Sequence, residues 1–171
     1  MTPDPGDERV DRLDDEGRII GTIARRALRG QRIPYRCAYL LLFNRRGELF
    51  VHQRTASKAT YPGFWDFCVG GLPSPGESFD AAVRREAEEE IGVAVESERL
   101  FPIHYVDDRS IVFGMVYRAI HDGPFRLQPE EVARGEFVPL LEAVGRIEHE
   151  AFCPDGVAVL TEYRRRFGEV K

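Results

Sequence analysis

The sequence is poor in the residues that staple or anchor proteins. Three cysteines, Cys37, Cys68 and Cys153, are spread through 171 residues. They are odd in number, widely spaced and form no C-x-x-C pair, which argues against a disulfide framework or a zinc knuckle. No uninterrupted apolar run approaches the roughly 18 residues of a membrane-spanning helix. The N-terminal stretch MTPDPGDERVD is acidic and lacks the pattern of a secretory signal. Positive charge is also in deficit, with 24 Lys and Arg against 29 Asp and Glu for a net charge of −5. Binding a nucleic-acid polymer calls for clustered Lys and Arg, so that class is not expected. A small phosphorylated substrate stays compatible, because metal ions can supply positive charge locally. Together these absences lead us to expect a reduced, cytoplasmic protein with no membrane or polymer partner.

What is present describes an ordinary folded domain, with 43% hydrophobic and 31% charged residues. A chain of this length can bury about 70% of its unfolded surface in one core. Residues 1–8 are polar and rich in Pro and Gly and read as a loose tail. Residues 9–171 read as a single domain without an internal repeat.

The organising stretch is Gly70 to Val93, GGLPSPGESFDAAVRREAEEEIGV. Two glycines and a loop with Pro73, Pro75 and Gly76 lead into a helical run that stops at Gly92. Ser78 is placed to cap that helix, and Asp80 complements the positive end of its dipole. On a 3.6-residue period Phe79, Val83, Ala87 and Ile91 form an apolar stripe, while Glu86, Glu89 and Glu90 gather on a neighbouring face. Three carboxylates within one turn repel each other, by a few tenths of a kcal/mol per i, i+4 pair. Either the face is simply solvated or a cation offsets it. Oxygen ligands without nearby Cys or His suit Mg²⁺ or Mn²⁺.

The rest of the chain alternates strands and loops. Val10–Leu13 and Arg18–Ile23 flank the acidic turn at Asp14–Gly17 and read as a hairpin. The arginine-rich stretch 24–32 reads as a solvated helix or loop, with a phosphate clamp as the alternative. Cys37–Phe43 is a strand buried on both faces, paired through a turn with Leu49–Arg54. An aromatic-rich loop, 55–67, follows. Leu100–Val106 and Ser110–Ile120 make another strand pair, and Leu140–Ile147 and Gly156–Phe167 read as closing helices. His149, Glu150, Cys153 and Asp155 then fall in a connecting loop without metal spacing. The four histidines, His52, His104, His121 and His149, read as structural or exposed.

The order Gly71, Glu77, Arg85-Glu86-Ala87, Glu89-Glu90, Gly92-Val93 resembles the Nudix box, G-x5-E-x7-R-E-U-x-E-E-x-G-U with U aliphatic, over residues 71–93. Every fixed polar and glycine position is filled, and only Ala87 is small for its aliphatic slot. The resemblance implies an α/β fold, an α/β/α sandwich around a mixed sheet, here preceded by the N-terminal hairpin. It also implies metal-dependent hydrolysis of a nucleoside diphosphate linked to a further group X. Glu86, Glu89 and Glu90 would be the metal ligands, with the Gly71 carbonyl beside them. Glu86 is the first candidate for general base. Glu131, acidic and just ahead of the strand carrying Phe137, is the alternative. Glu77 and Arg85 would pair to lock the loop against the helix.

The succession Gln53-Arg54, Lys58, Pro62-Gly63-Phe64-Trp65 is similar to the isopentenyl-diphosphate isomerase branch of the same superfamily. That likeness makes Arg54 and Lys58 candidates for holding substrate phosphate, with a surface pair or an ionic latch as the structural alternative. The isomerase chemistry itself fits poorly. Its cysteine would fall at Gly70 and a histidine ligand at Leu72, and its box lacks the glutamate found at Glu86. Phe64, Trp65 and Phe67, with Tyr61, could stack a nucleobase or could form core. The expected reaction is therefore hydrolysis of simple nucleoside 5′-di- or triphosphates with Mg²⁺ or Mn²⁺. An isomerase-like enzyme and a non-catalytic nucleotide-binding regulator are the alternatives.

Overall fold

The computed structural model describes residues 5–168. The first half of the sequence-predicted tail, residues 1–4, lies outside the described residues. Pro5–Asp7 form a 3-10 turn packed against a second one, Arg25–Leu28, in the arginine-rich stretch. Arg25 and Arg26 pair there with Glu8 and Asp7.

Strands β1 (Arg9–Leu13) and β2 (Ile19–Ala24) form a separate antiparallel hairpin. Its turn is held by the Asp14 carboxylate, which accepts from the N–H groups of Glu16 and Arg18. The main sheet contains β3 (Tyr35–Phe43), β4 (Leu49–Arg54), β5 (Trp65–Asp66), β6 (Val69–Gly71), β7 (Glu98–Val106), β8 (Ile111–Ile120) and β9 (Val132–Val138). It is mixed: β3 runs parallel to β8, and the other pairings are antiparallel.

β3 is the spine. Its odd-numbered residues Cys37, Tyr39, Leu41 and Phe43 face a core shared with α3 (Pro154–Phe167), through Val159, Leu160 and Tyr163. The even-numbered Ala38, Leu40 and Leu42 face α1 (Phe79–Ile91), through Ala82, Val83, Ala87 and Ile91. This period-two division between two buried faces is why β3 reads as a continuous apolar run. It also makes the α/β/α layering a direct result of the sequence. The short α2 (Leu140–Arg146) inserts Leu140 and Ala143 on the α3 side.

One departure from a simple hairpin creates the functional region. β3 and β4 pair only at Phe43↔Leu49. Beyond that point β4 diverges to pair with β5, while β3 takes up β6 through Ala38↔Gly71, Tyr39↔Gly70 and Leu40↔Val69. The segment from Trp65 to Gly71 thus fills a wedge in the sheet and delivers the chain to α1.

Candidate functional site

Two glycines make the exit from that wedge possible. Gly70 has φ of 148°, and a Cβ there would overlap the Ala38 carbonyl oxygen. At Gly71 a Cβ would sit 2.7 Å from Glu86 Oε1, so the missing side chain lets the Glu86 carboxylate lie against the backbone. α1 then starts at the Ser78 cap, whose Oγ accepts from the Ala81 N–H at 3.1 Å, and ends at Gly92 with φ of 71°.

Arg85 organises the acidic face. Its Nε and Nη2 donate to Glu77 Oε1 and Oε2, both at 2.9 Å, and Nη2 also reaches the Leu72 carbonyl at 3.3 Å. Its Nη1 donates to Glu86 Oε1 at 2.9 Å and Glu89 Oε2 at 3.1 Å. Hydrogen bonding from Arg85 holds Glu77 below its ordinary value, and the same bond is the main reason Arg85 is raised. Loop and helix are tied by a bidentate charge-assisted pair.

The other carboxylates are less well compensated. Glu90 is only 9% exposed and has no ion-pair partner among the described residues. Desolvation raises its carboxyl well above the ordinary value, and the charges of Glu86 and Glu131 add to this while Lys58 opposes it. Glu86 is raised by desolvation too, against the pull of Arg85 and with the push of Glu89. Among the described residues no three His, Cys, Asp or Glu side chains are gathered as a closed ligand set. The donors nonetheless fit a hard divalent cation. They are all oxygen, Glu86 and Glu89 share one guanidinium with Glu77, and Glu86 and Glu90 are desolvated like charges that a cation would relieve.

Lys58 and Glu131 meet in an ion pair beside this group. The Thr55 N–H and Oγ add hydrogen bonds to the carbonyls of Glu131 and Glu130, at 3.2 and 3.0 Å, which fixes the loop to the start of β9. Lys58 therefore serves as a latch in this structure. Arg54 turns its Nε and Nη2 to the Thr60 carbonyl, at 3.1 and 2.8 Å, and pins the same loop.

Two of the three stacking candidates are core residues. Phe67 is 1% exposed and stacked on Phe152 at 4.3 Å. Trp65 is 5% exposed, with the guanidinium groups of Arg146 and Arg134 over its ring at 4.1 and 5.0 Å. Neither offers a free face to a base, because the wedge segment must fill the gap between β3 and β4. Phe64 alone is half-buried at the surface, 5.3 Å from Tyr61.

A second polar group lies on the α3 side of β3, and sequence reading did not assemble it. Tyr39 Oη donates to Asp155 Oδ2 at 2.8 Å, and the Cys68 N–H donates to Asp66 Oδ1 at 3.0 Å. Burial pushes Asp66 up to about 7, reinforced by the Asp155 charge and opposed by Arg54. Asp155 is not in a connecting loop. α3 begins at Pro154, a residue suited to the first helical position, so Asp155 stands in the first turn. That proline was the available signal. Cys68 is buried and its thiol is pushed well up by desolvation, so it is no ready acid or nucleophile.

Comparison with known proteins bears on the box directly. The family model for the NUDIX domain matches residues 34–156. The chain belongs to the Nudix family. A Nudix hydrolase of Pseudomonas aeruginosa is 35% identical over 152 residues, covering 88% of this chain and 90% of that protein. One from Streptomyces coelicolor is 35% identical over 161 residues, covering 92% and 89%. A crystal structure of a Deinococcus radiodurans protein matches with a TM-score of 0.80 and 29% identity, covering 91% of this chain and 98% of that one. This Nudix protein is accordingly an enzyme of the class that hydrolyses pyrophosphate bonds, generally with divalent metal cations. No helix among its described residues is long and apolar enough to cross a membrane.

Proposed function

We propose that this Nudix enzyme is a Mg²⁺- or Mn²⁺-dependent hydrolase of the phosphoanhydride bond in nucleoside diphosphate-X compounds, acting on simple nucleoside 5′-di- or triphosphates. The observation that carries the reading is the pair of desolvated carboxylates, Glu86 and Glu90, on one face of α1 with Glu86 against the Gly71 backbone. Glu86, Glu89, Glu90 and the Gly71 carbonyl would hold the cation. When bound, it supplies neutralisation of phosphoryl charge and a more acidic water.

The chain's own groups supply the rest. Glu86 accepts the proton of the attacking water as its oxygen bonds to phosphorus and the bridging P–O bond breaks toward the leaving phosphate. Glu131 is the alternative base, reached if the Lys58 latch opens toward substrate phosphate. Arg54 has the fork for a second phosphate contact. Glu77 and Arg85 keep the loop in register with α1. Three buried thiols without a disulfide support a reduced, cytoplasmic setting.

The test is release of phosphate, pyrophosphate and nucleoside monophosphate from a panel of nucleotides and nucleotide sugars, with and without Mg²⁺ or Mn²⁺. Metal-dependent turnover that disappears in Glu89→Gln is expected, and its products identify X. No turnover on any member removes the hydrolase reading.

A further inference from the structure

The N-terminal hairpin takes no part in the chemistry above, yet it is seated against the strand at the centre of the sheet. Val10 and Leu13 of β1 are buried, and the Leu13 N–H donates to the Pro34 carbonyl at 3.2 Å, one residue before β3 begins. Between those two apolar residues β1 also buries a charge. The Asp11 carboxylate is 4% exposed and pairs with Nη2 of Arg36 on β3, whose side chain is 12% exposed. Taking two opposite charges out of water costs about as much as their attraction contributes, and apolar residues of similar volume often hold such a contact as well. Docking of the hairpin alone does not explain the pair.

Arg36 also touches the box. The Nη2 that pairs with Asp11 lies 3.5 Å from the Ser74 carbonyl oxygen, and the guanidinium stands over the Phe79 ring at 5.2 Å. Phe79 opens α1, and Ser74 sits between Pro73 and Pro75 in the loop before it. The two prolines fix φ on either side of Ser74, so this piece of loop shifts as a unit. From Ser74 the contacts run on to the acidic face. Its N–H donates to Glu77 Oε2 at 2.8 Å, and its carbonyl accepts from the Glu77 N–H at 2.9 Å. Glu77 holds Arg85 through both carboxylate oxygens, and Arg85 holds Glu86 and Glu89.

We propose that Arg36, fixed by Asp11, is a positioning residue for the cation site: it sets the box loop at Ser74 and, through Glu77 and Arg85, the carboxylates of Glu86 and Glu89. This role rests on the cation reading given above. Among the described residues both hydrogen bonds of the Arg36 guanidinium run through Nη2, and its buried Nε has none. The bond to Asp11 is therefore what orients the guanidinium under the loop, and loss of Asp11 frees the contact to Ser74 as well. The hairpin becomes part of the shell that holds the metal ligands in place.

Metal affinity separates this role from simple docking. The Kd for Mn²⁺, read from the electron paramagnetic resonance signal of the free ion, and Tm in EDTA are compared for wild type and Asp11→Leu/Arg36→Met. The apolar pair should keep Tm at or above the wild-type value. Its Kd for Mn²⁺ should nonetheless rise about tenfold, the lower end for partners behind a ligand shell. On a Glu77→Gln background the same double substitution should add less than about twofold, because the route through Glu77 is already cut. Asp11→Asn keeps the shape and an acceptor oxygen; it should raise Kd at least about threefold, and it carries the test should the apolar pair not fold. Equal Mn²⁺ affinity in wild type and the folded variants, or an undiminished loss on the Glu77→Gln background, overturns the positioning role and leaves the hydrolase reading intact. Absence of Mn²⁺ binding by wild type removes the cation reading and the positioning role with it.

Discussion

Glu86 and Glu90 show how one neighbour can change what a carboxylate does. Glu77, held by both arms of Arg85, is lowered and structural, whereas Glu86 and Glu90 on the same unit are raised because burial outweighs their compensation. Glu86→Gln should slow kcat by at least about 100-fold, the lower end for an acid-base residue. Near-normal turnover by that variant would remove Glu86 as the base. Asp66 gives a second expectation at this scale. Its folded-state carboxyl is raised from 3.8 to about 7, so folding takes up a proton between those values. Its favourable contribution is present below pH 3.8 and is lost as pH climbs toward 7. Asp66→Asn should therefore gain thermal stability relative to wild type across that window, measured by melts in EDTA at stepped pH. Parallel melting curves for the two proteins would contradict the assignment.

α1 is a helix whose ends are fixed by single residues and whose middle is fixed by packing. Ser78→Ala removes the acceptor for the Ala81 N–H and should cost about 1 kcal/mol, lowering Tm by about 2–4 °C for a domain of this size. Gly92→Ala should cost at least as much. It places a Cβ at φ of 71° and 3.0 Å from Arg126. Both losses should appear in thermal melts, and an unchanged Tm would show that packing alone sets the ends. Between the caps, Ala82 and Ala87 are fully buried against β3. Small residues here bring the helix close to the sheet, with the Glu86 carboxylate against Gly71.

For the molecule as a whole, a cation that binds the folded state alone should stabilise it by mass action. At free metal about 100 times Kd the gain is about 2.7 kcal/mol. Mg²⁺ or Mn²⁺ is expected to raise Tm in wild type, with EDTA reversing it, and to leave Glu90→Gln unmoved. The same variant, freed of a buried charge, should melt higher than wild type in EDTA. A metal-induced shift of equal size in both proteins would separate the cation from Glu90. This experiment reads the assembled site without needing a substrate.

Local order was open to the sequence because its causes are local. The box spacing, the Ser78 and Gly92 caps and the two-sided burial of β3 each depend on residues within a turn or a strand of one another. Tertiary structure decided the rest. Tyr39 and Asp155 are 116 positions apart and meet only because α3 packs on the face of β3 opposite α1. Trp65 and Phe67, which the sequence left open to stacking but favoured as core, became core because β4 leaves β3 after one residue pair and the gap must be filled. Lys58, a candidate phosphate ligand by the isomerase-branch resemblance or else an ionic latch, meets Glu131 because β9 pairs with β4. Periodicity and capping are short-range effects and leave their mark in the sequence. Which side chains share a cleft depends on how sheet and helices close over long separations in the chain.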